Sequence, residues 1–211
     1  MRDALAFLQS VQPRVFGADA HGFRMNPPLL GPDAKAFEKI HNISLPDDFR
    51  QFLTEVGNGG AGPFYGVFPL GKMDDNFSFG TWQEDDGVVG VLSQPFLFEE
   101  EWNDISSQPS AELADQDESE YGRQMDTFQS TYWGSSLVNG AIPICHEGCA
   151  LRIWLVVTGA QAGYLWEDRR SEDGGLKPLR LADGSSATFA AWYETWLNDC
   201  LNYEENDQQA R

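Results

Sequence analysis

Residues 45–60, Leu-Pro-Asp-Asp-Phe-Arg-Gln-Phe-Leu-Thr-Glu-Val-Gly-Asn-Gly-Gly, constrain the fold of this chain more tightly than any other stretch. Phe49, Phe52, Leu53 and Val56 stand at i, i+3, i+4 and i+7, one face of a helix with 3.6 residues per turn. Pro46 suits a first turn, where its missing N–H costs nothing, and Asp47 and Asp48 complement the positive end of the helix dipole. Gly57-Asn58-Gly59-Gly60 ends it, because glycine and asparagine tolerate the left-handed backbone of a helix C-terminus. A helix with so apolar a face needs a second layer to cover it.

The remaining elements supply that layer. Leu5, Phe7, Leu8 and Val11 predict an N-terminal helix over residues 3–12, and Pro13 to Pro32 reads as an irregular connection rich in Gly and Pro. Asp33 to His41 reads as a helix broken by Asn42-Ile43-Ser44. Phe64 to Leu70 and Val88 to Leu92 are strand-like, the second weakly so. From Ala150 to Val157, the residues Leu151, Ile153, Leu155 and Val157 alternate onto one face of a strand. The turn Thr158 to Gly163 returns it as Tyr164 to Asp168, a hairpin. Ser186 is the expected N-cap of a last helix from Ala187 to about Asn202. Its stripe is Phe189, Trp192, Tyr193, Trp196, Leu197, Cys200 and Leu201, and Glu204 to Arg211 is a polar tail expected to fray. Helices and a hairpin in one chain are the elements of an α+β fold, and the last stripe is suited to burial against a sheet.

Charge narrows the partners. Thirty-three acidic residues face 14 basic ones, a formal net charge of −19 over 211 residues. Such a field repels phosphate backbones and anionic lipid, so neither nucleic acid nor membrane is an expected partner; it favours a cationic protein, or serves solubility alone. The acids are not evenly spread. Asp74, Asp75, Glu84, Asp85 and Asp86 precede a run from Glu99 to Asp126 that holds ten acids and one base, Arg123. Trp102, Tyr121, Tyr132 and Trp133 lie in or beside that run, either as interface anchors or as anchors of the run to the core. The N-terminus is too short and too acidic for a signal peptide, and a cytoplasmic location is expected.

Motifs for chemistry are sparse. Cys145-His146-Glu147-Gly148-Cys149 is half a zinc site; only Cys200, His21 and His41 remain as soft ligands, none paired at zinc spacing. The simpler reading sets this cluster in a turn before a strand, with the three cysteines as buried thiols. Gly57-Asn58-Gly59-Gly60 and Gly174-Gly175 lack the lysine and following helix of a phosphate cradle. The acid pairs Asp85-Asp86 and Glu167-Asp168 show no defined catalytic separation. No catalytic residue, metal or cofactor is assigned.

Three blocks taken together resemble the SUKH superfamily, which holds bacterial toxin-immunity proteins and the yeast cell-wall-assembly regulators. Leu45 to Leu53 followed by Asn58-Gly59-Gly60 resembles its first signature. Ala141-Ile142-Pro143-Ile144, Gly148 and Gly163 to Asp168 resemble its strand block, and Phe189 to Leu197 its closing helix. At Ile144 to Gly148 the likeness to the family's acidic-glycine turn is loose. The resemblance implies antiparallel strands packed by helices, and immunity through direct binding of a secreted polymorphic toxin, often a nuclease or deaminase. A regulatory or interaction module of the same fold is the alternative. The expected organisation is an N-terminal helix and connection over 1–32, a SUKH-like domain over 33–202 with an acidic insertion at about 72–135, and a tail over 203–211. The expected contact residues are Asp74, Asp75, Glu84, Asp85, Asp86, Glu99, Glu100, Glu101, Trp102, Asp104, Asp115, Asp117, Glu118, Glu120, Tyr121 and Trp133, meeting lysines and arginines of a basic toxin domain.

Overall fold

The 45–60 helix forms, with a local distortion that serves its packing. In the computed structural model, which describes residues 1–72 and 89–209 (204–209 by backbone only), α4 spans Asp47–Gln51 and widens into a π-helical stretch over Phe52–Val56. Gly57 N–H closes that wider turn on Phe52 O at 3.0 Å, while Leu53 O accepts Leu29 N–H at 2.8 Å. The glycines that follow have a steric reason. Gly60 sits at φ 114°, bridged to both Met25 and Val67, and a Cβ there would fall 2.6 Å from Arg24 O. Asn58 accepts the Leu70 N–H through Oδ1 at 2.9 Å, which locks the loop that leaves the helix.

Before it come α1 (Arg2–Val11), a single turn α2 (Ala18–His21) and α3 (Gly31–His41). After it come α5 (Ala111–Gln116), α6 (Glu118–Tyr132), strands β1 (Ala141–Gly148), β2 (Leu151–Val156), β3 (Leu165–Asp168) and β4 (Leu176–Pro178), and α7 (Phe189–Gln209). The strands form one antiparallel sheet in sequence order, so the fold is α+β, with the hairpin pairing Leu155 to Leu165 and Trp154 to Trp166.

Both faces of the sheet are buried. Ile142, Ile144, Ile153, Leu155 and Leu165 meet Leu45, Phe49, Phe52, Leu53, Phe189 and Tyr193 on the inner face. Trp154, Val156 and Trp166 meet Phe96, Val138 and Leu176 on the outer one. The alternation in β2 anticipates the inner face; Trp154 and Val156, read as the other side, are equally covered. α7 serves two layers: Phe189, Trp192 and Tyr193 pack on the sheet, while Leu197 and Cys200 pack against Leu5 and Leu8 of α1.

Three local expectations differ. Phe64 to Leu70 is an irregular segment whose Phe68 N–H donates to Ile144 O at 2.8 Å, covering the β1 edge instead of forming a strand. Residues 89–92 are irregular, with a bend at Val89 and a turn from Leu92, and Val88 lies outside the described residues. α7 begins at Phe189: Thr188 Oγ1 accepts Ala191 N–H at 3.3 Å, and Asp48 Oδ2 accepts Ala190 N–H at 3.0 Å. Ser186 instead accepts from Arg180 at 2.8 Å, and the helix runs to Gln209 where a frayed tail was expected. Among the described residues no helix is long and apolar enough to cross a membrane.

Asp48 therefore caps α7 from α4 while also accepting its own helix's Phe49 N–H at 2.8 Å. Asp48→Ala is expected to lower stability by about 1–2 kcal/mol, whereas Asp47→Ala, which loses only a surface ion pair with Arg50, leaves the urea midpoint nearly unchanged. His21 supplies a pH signature. Its imidazole accepts Phe23 N–H through Nδ1 at 3.0 Å, and burial holds its pKa down to about 4. Below the unfolded value of 6.5 the unfolded chain takes a proton that the native state refuses. Stability is accordingly lost as pH falls from about 6.5 toward about 4, by up to about 3 kcal/mol. Chemical denaturation at pH 7, 6 and 5 checks this, with His21→Leu expected to remove that part of the slope.

Candidate partner-binding surface

The acidic run is fixed to the outer sheet face by aromatic side chains. Phe96 N–H donates to Thr158 O at 2.8 Å, and Trp102 exchanges two backbone hydrogen bonds with Leu176, at 2.9 and 2.7 Å, along the open edge of β4. The half-buried Trp102 ring stacks on Phe98 at 5.3 Å and lies 5.5 Å from Tyr132. Of the two roles open to it, Trp102 takes the anchoring one. Glu99, Glu100 and Glu101 on the same segment are exposed, and Glu101 pairs with Lys177 at 3.0 Å.

Helices α5 and α6 form the rest. Asp117 caps α6, its Oδ1 accepting Glu120 N–H at 3.0 Å, a use of a short carboxylate that also suits the helix dipole. Phe128 and Tyr132, four apart on the buried side of α6, stack at 5.0 Å. Around it Asp115 of α5, Asp117 and Glu118 are exposed and Glu120 is half-buried. An open groove of ≈ 590 Å³ separates the Ser106–Ser110 segment from α6, floored by Leu113 and Phe128.

A buried polar network fastens the end of α6. Arg170 grips Asp168 through Nε–Oδ1 at 2.8 Å and Nη2–Oδ2 at 2.6 Å, with side chains 3 % and 0 % exposed. Trp154 Nε1 donates to Asp168 Oδ2 at 3.1 Å. Arg170 Nη1 donates to Tyr132 O at 3.1 Å, placing a cation at the negative end of the helix. The Tyr132 hydroxyl donates to Asn103 Oδ1 at 2.7 Å and accepts Gly175 N–H at 3.1 Å. Trp133 lays its ring over the Arg170 guanidinium at 4.9 Å and keeps 37 % of its surface exposed. Sequence reading missed this network; its one local signal is the Asp-x-Arg spacing that closes a bidentate pair.

Thus Glu99, Glu100, Glu101, Asp104, Asp115, Asp117, Glu118 and Glu120 all lie on the segment and helices applied to the outer face, with half-buried Tyr121 in the first turn of α6. Among the described residues only Glu101 and Glu120 of these acids form ion pairs, the latter with Arg123. Asp104 is held below the usual carboxylate range by the Ser106 hydroxyl and N–H, so it stays ionised. Asp74, Asp75, Glu84, Asp85 and Asp86 lie outside the described residues.

The cysteine cluster sits within β1 itself rather than in a preceding turn. Cys145 is buried, and burial pushes its thiol well up; Cys149 is exposed in the turn to β2. His146 stacks on Tyr65 at 4.8 Å. Among the described residues no three His, Cys, Asp or Glu side chains are grouped to hold a metal ion.

Compared with known protein families, residues 32–178 match the SMI1 / KNR4 family (SUKH-1). No curated protein and no solved structure matches the chain. The matched span runs from α3 to β4, so it includes the acidic helices and stops before α7.

Breaking the network has a calculable cost. Arg170→Met leaves Asp168 buried and unpaired and is expected to destabilise by about 3–5 kcal/mol. Tyr132→Phe, which loses two hydrogen bonds at the hydroxyl, costs about 1–3 kcal/mol. Urea unfolding followed by tryptophan fluorescence measures both.

Proposed function

The chain belongs to the SMI1 / KNR4 family (SUKH-1), and on that premise we propose that it is an immunity protein that neutralises a cognate secreted toxin by direct contact. The reading is one of binding and not of catalysis. It is carried by one observation: the exposed carboxylates of the 99–120 run stand on a segment and helices pinned to the sheet by the Asp168–Arg170 pair and by Trp102. A pinned array of like charge costs little conformational entropy when a partner docks, and it raises the rate of encounter with a cationic surface. Trp133 and Tyr121 offer aromatic surface at its border, the residue types that dominate interface energetics. The partner that fits is a basic effector domain, such as a nuclease or deaminase whose own substrate is anionic.

Affinity capture from the encoding organism at low and at high salt tests the reading. One basic toxin domain retained on the tagged protein supports it; housekeeping proteins alone would favour a regulatory role instead. With the partner in hand, reversing Glu99, Asp104, Asp115 and Glu118 to Lys is expected to slow association at least about tenfold at low salt and to flatten its salt dependence. Unchanged rates in that variant would remove the acidic run from the interface.

A further inference from the structure

The ≈ 590 Å³ groove beside α6 is uncharged along its walls, although it lies within the most acidic stretch of the described chain. Ser106, Ser107, Gln108 and Ser110 line it from the segment, and Gln124 and Thr127 line it from α6. The one charged lining residue, Arg123, is paired with Glu120. Carboxylates flank the groove, bonded to its lining side chains. The Ser106 hydroxyl donates to Asp104 Oδ1 at 2.6 Å, and Gln124 Nε2 donates to Glu120 Oε1 at 2.7 Å. Glu112 accepts from its own N–H and from the Ser110 hydroxyl.

The lining selects the occupant. Among the described residues the Ser107 hydroxyl, the Gln108 side-chain amide and Gln124 Oε1 have no hydrogen-bond partner within the chain. Such groups suit a segment whose own amides and carbonyls are unpaired, which is an extended one; a helix satisfies its backbone internally and leaves them unused. The sheet edges offer that segment few openings, since Phe68 bonds to β1 at Ile144 and Trp102 to β4 at Leu176. The apolar floor of Leu113 and Phe128 suits the aliphatic stem of a lysine or arginine. Asp104, Glu112 and Glu120 suit its charged head, and the same three repel an acidic segment. The volume falls within the range of clefts that hold ligands, roughly 300–1,000 Å³.

We propose that this groove binds a short extended segment of a basic protein partner. The segment lays its backbone against Ser107, Gln108 and Gln124 and pairs its lysine or arginine side chains with Asp104, Glu112 and Glu120. This assignment rests on the reading of the acidic run as a protein-binding surface and names the part of the partner that docks there. Charge brings the partner in, and the groove selects an uncoiled stretch of it.

Amide NMR of the full-length ¹⁵N-labelled protein, at fixed pH and ionic strength, reads the docking. The probe is the capped peptide acetyl-Ala-Arg-Ala-Arg-Ala-amide. The control is N-acetylarginine amide at twice the concentration, which matches the charge without the linked backbone. The peptide is expected to shift the amides of Ser107, Gln108, Gln124 and Thr127 to saturation, binding at least about tenfold more tightly than the control. Ser107→Trp and Thr127→Trp, at exposed positions on opposite walls, fill the groove without changing its charge. Each is expected to weaken the peptide at least about tenfold. Unchanged affinity in both variants overturns the groove, as do shifts spread alike by peptide and control along all the exposed acids of the run. If the peptide misses the groove while the charge-reversed protein still loses its captured toxin, the groove fails and the immunity reading stands. If the peptide fills the groove and only housekeeping proteins are captured, the groove stands and the immunity reading falls.

Discussion

The structure turns on the ion pair between Asp168 and Arg170, almost wholly out of water. Two charges removed from solvent repay the cost only when every donor and acceptor around them is used. Here the carboxylate takes three side-chain donors, two from Arg170 and one from Trp154, and the guanidinium also holds the last carbonyl of α6, that of Tyr132. The pair therefore does more than join the end of β3 to the turn that follows it. It ties the end of β3, Trp154 of the neighbouring strand and the end of a helix 38 residues before Arg170 into one unit.

Much of this was legible where the information is local. The stripes of α4 and α7, the β2–β3 hairpin and the Gly57–Gly60 stop all depend on neighbours within a turn or a strand, and each forms as expected. What was illegible depends on distant partners. Phe64 to Leu70 has the composition of a strand but spends it on covering an edge, because Gly59 and Gly60 bring the chain in beside Val67. Beside the local Thr188, the start of α7 is capped by Asp48, 142 residues away, which no local rule could find. Trp154 and Val156 fall on the other face of β2, which Phe96, Phe98, Trp102 and Val138 cover from distant parts of the chain.

The candidate surface divides the same way. Its charge was visible as a run of acids, and the solvent exposure of most of them follows from the cost of burying ionised groups. The roles of the aromatics were not visible. Trp102 and Tyr132 look like Trp133 in sequence, yet the first two are committed to the sheet and only Trp133 keeps an outward face. Glu147 was read as part of a cysteine cluster, whereas its environment is set by Glu167, Arg169 and Glu172 across the sheet.

The two sheet edges carry one more consequence. Phe68 occupies β1 at Ile144, Trp102 occupies the three-residue β4 at Leu176, and Pro143 and Pro178 withhold amide donors along the outer strands. An incoming chain finds few backbone groups on which to add itself as a further strand. Copies of this molecule accumulating at high concentration are therefore poorly templated for stacking edge to edge into fibrils, and whatever recognises it must read its side chains, so that specificity can drift by surface substitution while the strand ladder stays untouched.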